Sequence, residues 1–216
     1  MRATWVGPTV CAALALAGCA SSDRPMSSPH VSVAPTPSVS GLDLHHVSWR
    51  EAVVPGRACF LAGSIKLHHG QVLIPDPHGF PVTPPGTGTR YRQLVFGGTS
   101  YGDFEGPGVS DAAVGLDCNN NGGTADGLLL DSVAIYSGAG GHLHLLGLIT
   151  PGEQPRDVLP TLQVALRLTP GLITVSEDWY GPNDHTCCPT GQATSVWIER
   201  AGQLVRERTT ITAEPR

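Results

Sequence analysis

Apolar and polar residues alternate with a period close to two through much of the chain, clearest in QVALRL (163–168) and LITVSE (172–177). That period puts one face of each run inward and the other outward, as in a half-buried strand. DSVAIYSGAGGHLHLLGLI reads as two strand-like runs around Gly138-Ala139-Gly140-Gly141, TLQVALRLTPGLITVSEDWY turns at Pro170-Gly171, and TSVWIERAGQLVRERTTI turns at Ala201-Gly202. Successive hairpins with Gly-centred turns predict a meander. Upstream, SIKLHHGQVLI predicts a hairpin with His68-His69-Gly70 at its tip, and DAAVGLDC a strand. PDPHGFPVTPPGTGT (75–89) carries enough Pro and Gly to predict an irregular surface loop. Helical periodicity is confined to single turns, in VSWREAVV and RDVLPTLQV.

The expected fold is therefore mainly β. It is a single antiparallel meander domain over residues 43–216, with the choice among open sheet, sandwich and barrel left open. With 27 Gly and 19 Pro in 216 residues and only 14% charged side chains, composition agrees with a turn-rich β protein.

The first 42 residues have a different character. Arg2 followed by the apolar run Val10–Ala17 has the length of a signal peptide and is too short to span a bilayer as a helix. It ends in Leu16-Ala17-Gly18-Cys19, which resembles a bacterial lipobox. In that motif small residues precede the cut, and the cysteine is acylated and becomes the first residue of the mature chain. Residues 1–18 are thus expected to be a lipoprotein signal peptide and Cys19 the lipidation site. Residues 19–42, rich in Ser, Pro and Ala, are expected to form a flexible tether. A diacylglyceryl group with an N-acyl chain anchors firmly, so the domain is expected at the extracytoplasmic face of the cell membrane.

Without residues 1–18 the chain carries 13 − 1 = 12 basic and 18 acidic side chains, a net charge near −6 that disfavours nucleic acid as a partner. Across the full chain twelve Arg, Arg2 included, accompany a single Lys, Lys66. In an oxidising compartment disulfides persist. Cys59, Cys118, Cys187 and Cys188 remain after Cys11 and Cys19 are assigned to signal and lipid. Four cysteines allow three pairings. Joining the neighbours Cys187 and Cys188 closes a small eight-membered ring, an uncommon arrangement. The expectation is that each reaches a different one of Cys59 and Cys118, stapling the domain. Zero spacing suits neither a zinc site nor a Cys-x-x-Cys redox pair.

Several stretches carry candidate chemistry. YGDFEGPGVSDAAVG resembles the calcium loop of FG-GAP and VCBS repeats at Asp103, Glu105, Gly106, Gly108 and Asp111, with Pro107 where a third acid belongs. Calcium needs six to eight oxygens, so a retained turn is favoured over a weak calcium site. Gly98-Thr99-Ser100-Tyr101-Gly102 has the letters of a nucleophile elbow, but Gly106, Pro107 and Gly108 forbid the helix that must follow, so an ordinary turn is expected. His142 and His144 would share one strand face, with Leu143 and Leu145 inward. The pairs His45-His46 and His68-His69 read as surface residues, and His30 as part of the tether. EDWYGPNDHT places Trp179, Tyr180, Asn183, Asp184 and His185 beside Glu177 and Asp178, a set that could form a ligand-binding edge. No catalytic residues are assigned, and no cofactor apart from the weak calcium possibility. Ser-x-x-Lys, His-Glu-x-x-His and phosphate-loop patterns do not occur.

Lipobox, Ser/Pro stretch, YGDFEG before DAAVGLDC, and Cys187-Cys188-Pro189 together resemble the LppP/LprE-like lipoproteins of high-GC Gram-positive bacteria. The resemblance spans roughly residues 90–200, with WREAVVPGRACFLAGSIKL extending it. It implies a cell-envelope lipoprotein, attached to the membrane through Cys19, and carries no catalytic residues across. The expected function is a non-enzymatic envelope lipoprotein whose β domain binds a ligand or partner protein, either an envelope protein or a cell-wall component. The alternatives are an extracytoplasmic hydrolase of cell-wall glycan or lipid, and a metal-binding lipoprotein using the histidines.

Overall fold

The computed structural model describes residues 41–81, 89–122 and 127–215. The signal peptide, Cys19, His30 and nearly all of the tether expected from sequence lie outside the described residues. The compact unit is Ser38–Arg216, and chain order within it is visible from Gly41, because Leu42 N–H donates to Gly138 O at 2.8 Å.

Eleven strands are described: β1 Val53–Pro55, β2 Ser64–Lys66, β3 Gln71–Pro81, β4 Arg90–Gly102, β5 Asp111–Asn119, β6 Leu128–Ser137, β7 His144–Ile149, β8 Leu162–Thr169, β9 Leu172–Trp179, β10 Gly191–Arg200 and β11 Gln203–Ala213. β1 and β2 form a small sheet, β3-β4-β5-β6-β7 a five-stranded meander, and β11-β10-β9-β8 a four-stranded one. All pairings are antiparallel. The expected hairpins are present, but the single meander is two: after β7 the chain leaves the first sheet and starts a second.

β5 explains the layering. Its even positions Ala112, Val114, Leu116 and Cys118 pack in one core with Leu44, Trp49, Val54 and Leu67 of the N-terminal segment. Its odd residue Ala113 packs in another core with Ile135, Ile149, Ile173, Val175 and Trp197, which joins the two large sheets face to face. A strand covered on both sides needs apolar residues at both parities, which is why DAAVGLDC lacks alternation. β9 faces the core on one side only and alternates strictly, with Ile173, Val175, Glu177 and Trp179 buried.

Local chemistry sets the turns. Arg200 pairs with Gln203 across a two-residue connection in which Ala201 (φ 53°) and Gly202 (φ 76°) are both left-handed. Such a turn matches the twist of the strands it joins. His69 and Gly70 do the same between His68 and Gln71, although β2 itself pairs with β1. A short 3-10 turn occurs at Trp49–Glu51, as expected for VSWREAVV. RDVLPTLQV holds no helix.

Four further expectations are corrected. Residues 75–81 continue β3 through an irregularity between Pro75 and Phe80, rather than forming a loop. Gly98–Gly102 lies inside β4 as strand, not turn, because it pairs with Asp111–Gly115. Leu143 and Leu145 are 39% and 41% exposed, since β7 is an edge strand of the first sheet. Finally, the disulfides are Cys59–Cys118 and Cys187–Cys188. Cys59 and Cys118 are wholly buried within the first core and the loop cysteines are exposed, so the expected cross-staple does not form.

Candidate functional site

The loop after β9 does not present its aromatics. Trp179 and Tyr180 are 8% and 6% exposed. Trp179 ends the inward-facing register of β9 and lies on Gly191, its cross-strand partner. Tyr180 donates its hydroxyl to Thr186 O at 3.0 Å. Asp184 serves the loop itself, accepting from Gly181 N–H (2.8 Å), Thr190 N–H (2.9 Å) and the Thr190 hydroxyl (2.9 Å). The Gly181 and Thr190 amides hold its carboxyl below the usual range. Asn183 and His185 are exposed. Of the ligand-binding edge expected at Trp179, Tyr180, Asn183, Asp184 and His185, the two aromatics are buried and Asp184 braces the loop, while Tyr180 and Asp184 line a cleft of about 270 Å³. Glu177, on the same inward face, accepts from Ser195 Oγ (2.5 Å), Gly152 N–H (2.7 Å) and Glu153 N–H (3.1 Å).

The residues of the calcium-loop resemblance form a braced turn. Asp103 is exposed, Glu105 accepts from the Ser137 hydroxyl, and the buried Asp111 carboxylate accepts from Glu105 N–H at 2.9 Å. Asp111 opens β5 and turns inward close to Glu105, and both acids brace the turn, while Asp103 stays outside. Burial raises the Asp111 pKa. Among the described residues, no group of three or more His, Cys, Asp or Glu is placed to hold a metal. His142 and His144 are both exposed, His46 pairs with Asp43 (2.8 Å), and His69 lies 3.3 Å from Glu51.

A different region has the shape of a site. Gly56–Cys59 forms a 3-10 turn whose end is capped by Phe60 in the left-handed conformation (φ 60°). The Cys59–Cys118 disulfide ties that turn to β5. Phe60, the very next residue, is 59% exposed. Arg92 holds this corner: it pairs with Asp76, donates to Cys59 O at 3.2 Å, and lies 5.5 Å from the Phe60 ring centre. The His78 amide, and then Arg92, keep the Asp76 carboxyl below its ordinary range.

On one side of Phe60 opens a cleft of about 710 Å³, within the size of small-molecule sites. Leu61, Ala62, Leu130 and Leu148 supply apolar surface, and Arg57 and Thr150 the polar groups. On the other side a cleft of about 370 Å³ is lined by Asp76, His78, Arg92 and Asn120. Arg57 is exposed and has no carboxylate partner among the described residues. The arrangement offers a mainly apolar trough lined by a cation that has no carboxylate partner among the described residues.

No family model matches the chain, and no curated protein or solved structure matches it.

Sequence reasoning missed this region. Phe60 beside a disulfide cysteine in ACFLAG was the available signal, because an exposed aromatic is easily held where the backbone on one side is covalently fixed. A second missed feature is a group of acids between the sheets. Asp117 and Asp131 are cross-strand partners on β5 and β6. Burial, then the nearby charges of Asp117 and Glu177, push the Asp131 carboxyl up to about 7, while its Oδ2 accepts from Gln163 N–H at 2.6 Å. Asp117 in DAAVGLDC and Asp131 in LLLDSVAIYS, each directly after a leucine in a mainly apolar strand, were its trace in the sequence.

Proposed function

We propose that the chain is a cell-envelope lipoprotein, held at the extracytoplasmic face of the membrane by lipid on Cys19, whose β domain is a non-enzymatic binding module. Its ligand is an amphiphile with an apolar chain and one anionic group, taken up in the cleft beside Phe60. The observation that carries the binding half is Arg57, a cation without a carboxylate partner among the described residues, lining a mainly apolar trough. Burying apolar surface contributes about 25 cal/mol per Å², and the charge selects the head of the ligand. The lipobox, the apolar run before it and the Ser/Pro stretch after it support the anchored location.

Two measurements test the two halves separately. Growth with radiolabelled palmitate should label the chain in the membrane fraction, and Cys19→Ser should lose both label and membrane attachment. Absence of label from the unsubstituted chain rejects the lipoprotein reading. For binding, a sixteen-carbon fatty acid should titrate the unlipidated Cys19→Ser protein saturably. Arg57→Glu and Ala62→Trp, both at exposed positions, should each weaken it at least about tenfold, equivalent to 1.4 kcal/mol. Binding that neither substitution alters, or no binding at all, rejects this cleft as the site.

A further inference from the structure

The two disulfides stand in opposite situations. Cys59–Cys118 is wholly buried and closes a sequence separation of 59 residues. Cys187–Cys188 is exposed at both residues and joins chain neighbours. A cross-link stabilises chiefly by removing conformations from the unfolded chain, more so for longer loops. Between adjacent residues there is almost no loop to close, so the second bond does not act as a staple.

Nor does it hold the loop's shape. β9 and β10 fix both ends through the Trp179–Gly191 pairing. Between them Asp184 braces Gly181 and Thr190, Tyr180 holds Thr186, and Cys188 N–H donates to His185 O at 2.9 Å. None of these contacts is made by a cysteine sulfur. The two thiols would stay side by side on one braced turn, poised to close again. Exposure, dispensability for the fold and ready re-closure are what a reversible exchange site needs, since exchange requires a thiolate to reach one sulfur.

We propose that Cys187 and Cys188 form a reversible dithiol/disulfide site that exchanges with an exposed dithiol on a partner protein of the Cys-x-x-Cys kind. The partner's thiolate attacks one sulfur, the Cys187–Cys188 bond breaks, and the released cysteine takes up a proton as a mixed disulfide forms. The partner's second thiol then attacks that mixed disulfide. The partner leaves oxidised and both loop cysteines are thiols, two electrons and two protons having passed to this chain. The reverse sequence reoxidises the loop.

The test uses the full chain, folded, in dithiothreitol buffers of graded reduced-to-oxidised ratio, followed by acid quenching, alkylation and peptide mapping. Cys187 and Cys188 should become alkylated at least about tenfold faster than Cys59 and Cys118, and should pair again when the reductant is removed. Far-UV circular dichroism should not change during the cycle. A Cys-x-x-Cys oxidoreductase whose resolving cysteine is replaced should be trapped as a mixed disulfide on Cys187 or Cys188. The double variant Cys187→Ser/Cys188→Ser should keep the parent's melting temperature and trap nothing. Simultaneous reduction of both disulfides, failure to re-pair, or reduction by dithiothreitol with no trapped oxidoreductase would each overturn the proposal.

Discussion

Asp117 on β5 and Asp131 on β6 stand directly opposite one another on the face that meets the second sheet. Like charges in direct cross-strand register oppose each other, and burial penalises the ionised form of both. The fold therefore prefers this pair with a proton on it.

That preference has a pH signature. Asp131 titrates near 7 in the folded chain and near 3.8 when exposed. Its contribution to stability is complete below about pH 4 and is lost as pH rises through about 7. Asp76 and Asp184 act oppositely: their lowered values give stability that is present above 3.8 and lost as pH falls below it. Thermal stability should peak near pH 5 and decline toward pH 8. Asp131→Asn, which keeps an acceptor for Gln163 N–H, should gain about 1–2 kcal/mol at pH 8 and much less at pH 5. Equal effects at both pH values would show that Asp131 titrates normally.

Gly191 has no room for a side chain. A Cβ there would sit 2.6 Å from Cε2 of Trp179. Gly191→Ala should force the indole off its seat and cost about 1–3 kcal/mol in urea unfolding, with Gly171→Ala as a separate probe of turn strain alone. An unchanged midpoint for Gly191→Ala would place Trp179 elsewhere.

Asp184 satisfies three donors at once. Asp184→Ala should cost about 1–3 kcal/mol and make the 181–190 loop markedly more sensitive to limited proteolysis, while Thr190→Val should do less because the Thr190 amide remains held. Protease resistance equal to the parent's would mean that other contacts brace the loop.

The buried disulfide should matter far more than the exposed one. Cys59→Ser/Cys118→Ser releases a long loop and should cost about 2–5 kcal/mol. It should also weaken fatty-acid binding, because Phe60 loses its fixed neighbour. A loss of stability with binding retained would separate the cleft from that corner of the fold.

The chain's local grammar was enough for its strands and turns. Alternation in LITVSE became β9 with every second residue buried, and Ala201-Gly202 became a two-residue hairpin, because pleat and turn geometry act between near neighbours. Which sheet a hairpin joins was not legible, since β6–β7 and β8–β9 look alike in sequence and differ only in what their faces meet. The same limit explains the loop at 179–191. Aromatics beside carboxylates read as a binding edge, but strand register carried Trp179 inward and turned Asp184 into a brace. Pairing of Cys59 with Cys118 depends on β5 passing under a 3-10 turn 59 residues earlier in the chain. The cleft beside Phe60 arises from that same crossing. Composition and local pattern thus determined an antiparallel β domain with its hairpins. Long-range packing alone decided the layering, the disulfide partners and the surface left open for a ligand, because contacts between distant segments depend on which faces are buried.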